Sequence, residues 1–160
     1  MASSIPGVAE RTLVLGNRVK GQLQDITTNG VKTYSLFAVT GGDVLITGMW
    51  GDVTTSITTD GETLNCQVHP TTGGTIVVVT ATDLGTTDTV AGGVLGVTAS
   101  TLTPATSFKL SGQPAHFIAT TGQIESVVVT SSANGVVQWY CTYIPLTDGA
   151  AVAASVVAPV

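Results

Sequence analysis

The stretch IESVVVTSSANGVVQWYCTYI, residues 124–144, contains two runs of β-branched and aromatic side chains separated by the turn signal Asn134-Gly135. β-Branched side chains lose rotamer freedom in a helix and pack well on a pleated sheet, so residues 124–130 and 136–144 are predicted to be strands. Asn-Gly supplies the positive φ angles that a tight turn requires. This part of the chain therefore favours a β fold.

The rest of the chain shows the same pattern. Short apolar and β-branched runs alternate with Gly, Asn, Asp and Thr, and no window has the apolar spacing of an amphipathic helix. The dipeptide Asp60-Gly61 is predicted to close a hairpin, and Asn29-Gly30, Gly41-Gly42 and Gly73-Gly74 to form further turns. The predicted strands are residues 12–15, 19–23, 32–40, 43–49, 53–58, 63–68, 75–80, 94–98, 106–110, 115–120, 124–130 and 136–144.

Short strands with no helix between them predict an all-β fold, a single-domain β-sandwich or jelly-roll-like barrel with extended N- and C-terminal arms. Residues 1–10 form the expected N-terminal arm, residues 11–149 the β domain and residues 150–160 an apolar C-terminal tail. Such a tail would be a liability if left in water. We therefore expect the two termini, residues 1–10 and 150–160, to attach the protein to its partner, with the tail paired with the edge of a neighbouring sheet or lying in a groove of the partner.

The charge content is unusually low. Only 9% of the 160 residues are charged, against about 25% in an ordinary domain, and a sparsely charged surface tends to associate. We expect a homo-oligomer, a closed trimer, that contacts a larger particle. The net charge of −5 argues against binding to nucleic acid or to an anionic membrane. The sequence shows no secretory signal and no apolar stretch of about 20 residues, so synthesis in a cytoplasm is expected.

Residues suited to catalysis or metal binding are few. His69 and His116 could act as bases near neutral pH, but no nucleophile motif accompanies them. Cys66 and His69 have a zinc-compatible spacing that Cys141 and His116 could complete, whereas a structural zinc site normally shows two paired clusters. We therefore expect buried, reduced cysteines, no metal, no cofactor and no enzymatic activity.

The aromatic residues suggest a contact surface. Trp139, Tyr140 and Tyr143 share one predicted strand, and side chains alternate between the two faces of a strand. Trp139 and Tyr143 therefore point to one side, where they would anchor the core, and Tyr140 points to the other. That other side, together with Trp50, is a candidate contact surface, because Trp and Tyr dominate interface hot spots.

Residues 134–150, NGVVQWYCTYIPLTDGA, combine a Gly turn, an aromatic strand, a Pro-Leu exit and the start of an Ala/Val-rich tail. In this pattern the chain resembles small β-rich virion structural proteins of tailed bacteriophages, such as capsid decoration (cement) and minor head proteins. The resemblance implies a trimeric β-sandwich on the virion surface that binds the major capsid protein and braces neighbouring subunits, with no catalytic residues. The candidate contact residues are Trp50, Tyr140, Tyr143, Pro145, Val152, Val156 and Val157.

Two alternative functions remain open at this point. A carbohydrate- or receptor-binding module of a tail or spike would present a concave aromatic patch, with Trp50 or Tyr140 exposed beside Asp and Asn side chains. A tail or baseplate assembly protein would have the same sequence properties as a cement protein. In each case the chain would act by binding.

Overall fold

The computed structural model describes residues 16–27, 30–58, 63–84, 89–98, 101–105, 116–130 and 134–158, and every regular element in these ranges is a β-strand. No helix in the described ranges is long and apolar enough to cross a membrane. The predicted all-β class is confirmed. The strands are β1 (Asn17–Asp25), β2 (Gly30–Thr40), β3 (Val44–Thr55), β4 (Thr63–Pro70), β5 (Ile76–Asp83), β6 (Val94–Thr98), β7 (Thr101–Ala105), β8 (Phe117–Ala119), β9 (Gly122–Thr130), β10 (Val136–Pro145) and β11 (Ala151–Ala154).

The strands form two antiparallel sheets that pack face to face as a β-sandwich. Sheet A has the order β1-β10-β3-β6-β7, with β8 also pairing with β3, and sheet B has the order β11-β2-β9-β4-β5. At one side of the sandwich β1 contacts β2 and β11, and at the other β5 contacts β7. Most connections cross from one sheet to the other, so successive strands are rarely hydrogen-bonded neighbours.

This topology corrects the hairpin predicted at Asp60-Gly61. That dipeptide lies outside the described residues, but the strands on either side of it, β3 and β4, belong to different sheets and do not pair. A turn dipeptide only allows the chain to reverse direction. Which sheet the next strand joins depends on where its apolar side chains can be buried. The chain does form a hairpin at Gly73-Gly74, where β4 pairs with β5 and Gly73 has a φ of 115°.

Two predicted strands, residues 43–49 and 53–58, are largely one continuous strand, β3. Gly51 lies within β3 and is a packing position. A Cβ atom at Gly51 would lie 2.5 Å from Cγ1 of Val137 and 3.3 Å from the ring of Trp139, so only glycine leaves room for the core. The predicted strands at residues 12–15 and 106–110 lie outside the described residues, and β7 and β11 were not predicted.

The C-terminal segment changes the predicted domain boundary. Residues 151–154 pair with residues 37–40 of β2, so β11 is an edge strand of sheet B and part of the domain. Ala150, Val152 and Ser155 are buried, and the backbone N–H of Ser155 donates to the carbonyl of Leu36. The short alternation around Val152 was hidden by the surrounding alanines, which have little strand preference of their own. The apolar segment beyond the domain therefore begins after Ser155.

The core lies between the two sheets. Trp139 of β10 and Phe37 of β2 are its largest fully buried side chains, and each comes from a different sheet. Trp139 donates its indole Nε1–H to Oε1 of the buried Gln24 at 2.6 Å. A polar pair of this kind, enclosed by apolar side chains, fixes the position of β1 against β10.

Candidate functional site

The outward side of β10 is where the predicted contact surface lies. Trp139, Cys141 and Tyr143 are buried, and Tyr140 between them is only half-buried. The predicted alternation is therefore confirmed. It places Tyr140 on the face of sheet A that points away from the core.

Trp50 and Tyr140 come together on this face. They are direct partners in the register of β3 and β10, and their rings stack with centroids 5.5 Å apart and planes inclined by 17°. On the far side, Trp50 faces Gly96 of β6, which has no side chain to cover the indole. Offset stacking of this kind is favourable for aromatic rings, and it leaves both half-buried rings accessible at the surface.

Arg18 of β1 completes the aromatic cluster. Its guanidinium carbon lies 4.7 Å from the centroid of the Tyr140 ring and 5.5 Å from that of the Trp50 ring, within the range of cation–π attraction. Lys20, the direct register partner of Tyr140, is two residues further along β1 and therefore on the same face. Both cationic side chains are exposed.

An apolar row lies further along the same face. Leu45 of β3 is the register partner of Ile144 of β10 on one side and of Ile118 of β8 on the other. Ile118 is 59% exposed and Ile144 is 36% exposed. Between this row and the aromatic cluster, Thr47 donates its hydroxyl to Oγ1 of Thr142 at 2.9 Å. We call the whole surface the docking face, and its main residues are Arg18, Lys20, Leu45, Trp50, Ile118, Tyr140 and Ile144.

The structure brings together only part of the predicted contact set. Trp50 and Tyr140 belong to the docking face, whereas Tyr143 and Val152 are 8% and 6% exposed and belong to the core. Tyr143 is buried because it lies on the same side of β10 as Trp139, the side that faces the core. Val152 is buried because β11 is a strand of the sandwich. The remaining predicted residues, Pro145, Val156 and Val157, are exposed outside the docking face.

Sequence reasoning missed Arg18, Leu45, Ile118 and Ile144. Arg18, Leu45, Ile118 and Ile144 lie on four different strands, so only the pairing of β1, β10, β3 and β8 puts them on one surface. A partial signal was present in Arg18 and Lys20, two of the five basic residues, which alternate along β1. Register between distant strands is not readable from one sequence, because it depends on packing across the whole sheet.

A second polar cluster lies on the outward side of sheet B. Glu125 of β9 is buried, accepts a hydrogen bond from Nε2 of Gln67 at 2.8 Å, and lies 3.3 Å from Nδ1 of His69. These bonds satisfy both carboxylate oxygens and orient the imidazole. Among the described residues, the side-chain hydrogen bonds of this cluster join its own three members, an arrangement that suits a structural polar cluster.

The zinc-compatible spacing of Cys66 and His69 does not produce a metal site. Cys66 points into the core of sheet B, and His69, three residues later, points outward with 55% of its side chain exposed. Cys141 lies in the other sheet, and His116 is exposed before β8. Burial raises the pKa of each thiol to about 12, so both cysteines stay protonated and are poor ligands near neutral pH.

No protein-family model matches this chain, and neither curated proteins nor solved structures give a significant match.

Proposed function

We propose that this protein is a non-enzymatic virion structural protein, a capsid cement or decoration protein that binds the assembled head through the docking face. The observation that carries the proposal is the composition of that face. It presents stacked Trp50 and Tyr140 together with Leu45, Ile118 and Ile144 on one outward sheet surface. Exposed aromatic and aliphatic side chains that form a contiguous patch are typical of protein–protein contact sites.

The chemistry of the rest of the molecule supports a binding role. The charge content is 9%, so hydroxyl and apolar groups rather than charges make up most of the surface. The β-sandwich supplies a rigid support for such a surface, because residues on paired strands hold a fixed register. The proposed partner is the major capsid protein, and the proposed location is the surface of the virion, reached after synthesis in the host cytoplasm.

The test is co-sedimentation of the purified protein with head particles assembled without it. We expect binding by the wild-type protein and a strong loss for Ile118→Asp, which puts a charge into the exposed apolar row. Ile76→Asp is the matched control, because Ile76 is 60% exposed, much like Ile118, and lies on β5 of sheet B, away from the docking face. Failure of the wild-type protein to bind heads would overturn the proposal. If both variants bound heads as well as the wild type, the contact would lie outside the docking face.

The C-terminal segment is a separate candidate for attachment to the head. Val156 and Val157 remain exposed after β11 ends, so within the tail the proposed attachment segment is residues 156–160. The N-terminal arm, residues 1–10, stays a predicted attachment element and lies outside the described residues. Deleting residues 156–160 in the same assay separates the tail contact from the docking face. Loss of binding by the deletion, with normal binding by Ile118→Asp, would assign attachment to the tail.

One observation favours a second candidate function, carbohydrate binding. The stacked Trp50 and Tyr140 rings present accessible aromatic surface, and Asp52 lies two residues along β3 from Trp50 on the same face. A glycan would use the rings and polar groups and would not need Ile118. Binding to a glycan array that Trp50→Ala abolishes and Ile118→Asp leaves intact would support this function over capsid binding.

A further inference from the structure

We propose that the docking face recognises an acidic protein segment, with Arg18 as the residue that binds its carboxylate groups. This inference deepens the proposed function and rests on it, because it states the chemistry of the partner surface. The carrying observation is a guanidinium that lies over two aromatic rings and forms no ion pair with an acidic residue in the described part of the chain.

The position of Arg18 is set by the rings beneath it. At 4.7 Å from the Tyr140 centroid and 5.5 Å from the Trp50 centroid, the guanidinium is held by cation–π attraction at an exposed surface. A guanidinium that lies over aromatic rings can still donate N–H hydrogen bonds to an incoming acceptor. A planar fork of donors fits a carboxylate through two parallel hydrogen bonds.

Arg18 lacks an acidic partner within the described residues. The ion pair found there joins His69 and Glu125 on the other sheet, and no described carboxylate lies within ion-pair distance of Arg18 or Lys20. The acidic groups closest in register are Asp52, on β3 beyond Trp50, and Asp25, at the far end of β1. In a chain with net charge −5, two of the five basic residues thus stand unpaired on the docking face.

The charge arrangement selects among possible occupants. Two copies that met through this face with the two-fold axis near Arg18 would bring the cationic side chains of each against those of the other, which is repulsive. A nucleic acid would meet two cations only, too few for more than a weak phosphate contact. An acidic surface is complementary, and electrostatic attraction would also accelerate its encounter with the face.

The apolar row indicates that the occupant is a protein segment. Ile144 follows Tyr140 by four residues on β10, a separation of about 13 Å along an extended strand. An occupant that contacts both the aromatic cluster and the apolar row must carry carboxylates near Arg18 and an aliphatic side chain about four residues away. An extended or surface-exposed peptide segment offers both, whereas a sugar or a phosphate backbone offers no aliphatic side chain for Leu45 and Ile118.

The test measures head binding by wild type, Arg18→Ala, Arg18→Lys and Lys32→Ala. Lys32 is a matched control, since its ammonium lies 5.4 Å from the ring of Tyr34 on the other sheet. We expect Arg18→Ala to weaken binding by about ten- to a hundredfold, from loss of a charge-assisted contact. Arg18→Lys should fall between, because it keeps the charge without the fork. Lys32→Ala should bind as wild type. Equal binding by Arg18→Ala and Lys32→Ala would overturn the inference.

A peptide arm separates the failure of this inference from the failure of the proposed function. The probes are a synthetic peptide with two Glu residues followed by two Leu residues, its Gln analogue, and a single-stranded oligonucleotide. We expect the Glu peptide alone to bind, with dependence on Arg18 and weakening between about 50 and 500 mM NaCl. Arg18-dependent peptide binding without head binding would overturn only the capsid function. The acidic-segment site would be overturned if the Glu peptide did not bind, or if it bound equally well to wild type and to Arg18→Ala. It would also be overturned if the oligonucleotide bound as tightly as the Glu peptide.

Discussion

At the residue scale, Gln24 and Trp139 form a buried polar pair that should be energetically coupled. Oε1 of Gln24 accepts the indole N–H at 2.6 Å, while its Nε2 has no hydrogen-bond partner among the described residues. Each partner leaves the other unsatisfied when removed alone. We expect Trp139→Phe to lower the free energy of unfolding more in the wild-type protein than in Gln24→Leu, and the difference between the two effects should be about 0.5–3 kcal/mol. Urea unfolding of the two single variants and the double variant measures this difference, and additive effects would contradict the coupling.

The two buried cysteines predict a loss of stability at high pH. Burial raises the thiol pKa values of Cys66 and Cys141 from 9.0 to about 12, so the folded protein keeps protons that the unfolded chain releases. Stability from this source is complete below pH 9 and is lost as pH rises from 9 to about 12. Each thiol should contribute a slope of about −1.4 kcal/mol per pH unit in that window.

Urea unfolding of the wild type and of Cys66→Ala between pH 8 and pH 11 tests this slope. The variant should be less stable throughout and should lose stability less steeply, since one of the two titrating thiols is absent. Identical slopes in the two proteins would show that Cys66 ionises equally in the folded and unfolded states. All other ionisable groups are the same in the two proteins, so their contributions cancel in the comparison.

At the element scale, β11 predicts a sharp difference between two truncations. Removing residues 156–160 should leave the melting temperature nearly unchanged, because Val156 and Val157 are exposed. Removing residues 151–160 also removes the buried Val152 and uncovers the edge of β2, which should cost at least about 1.5–3 kcal/mol. Thermal unfolding followed by circular dichroism should show a fall of several degrees for the longer deletion. Equal melting temperatures would mean that β11 contributes nothing to the sandwich.

The element scale also shows how much the sequence could predict. Strands β2, β4, β9 and β10 were located from alternation and β-branched content, because those properties belong to each strand by itself. The continuity of β3 through Gly51 and the pairing of β11 were not predicted, since they depend on close packing with Trp139 and on the edge of β2. Trp50 and Tyr140 were recognised as contact residues by type. Their contact with Arg18 could not be predicted, because it depends on the register of three strands, which is a tertiary property.

At the scale of the whole molecule, the low charge content predicts self-association as a closed trimer. The docking face carries Arg18 and Lys20, which have no acidic partner among the described residues, and we assign that face to the head, so we expect a different surface to join the copies. Sedimentation equilibrium at tens of micromolar should give three times the mass of the chain, both for wild type and for Arg18→Ala. A stable monomer would remove the trimer, and dissociation of Arg18→Ala alone would place the docking face inside the oligomer.

The strand order has a consequence for synthesis of the protein. β9 lies between β2 and β4, and β10 lies between β1 and β3, so strands of the first half depend on partners from the last third. From the end of β4 at residue 70 to the end of β10 at residue 145, translation takes about 4–15 s at ordinary rates. For that interval the nascent strands expose unpaired edges and apolar side chains, with few charges to keep neighbouring chains apart. Soluble yield should therefore respond to translation speed and to chaperone supply more than to the stability of the finished sandwich.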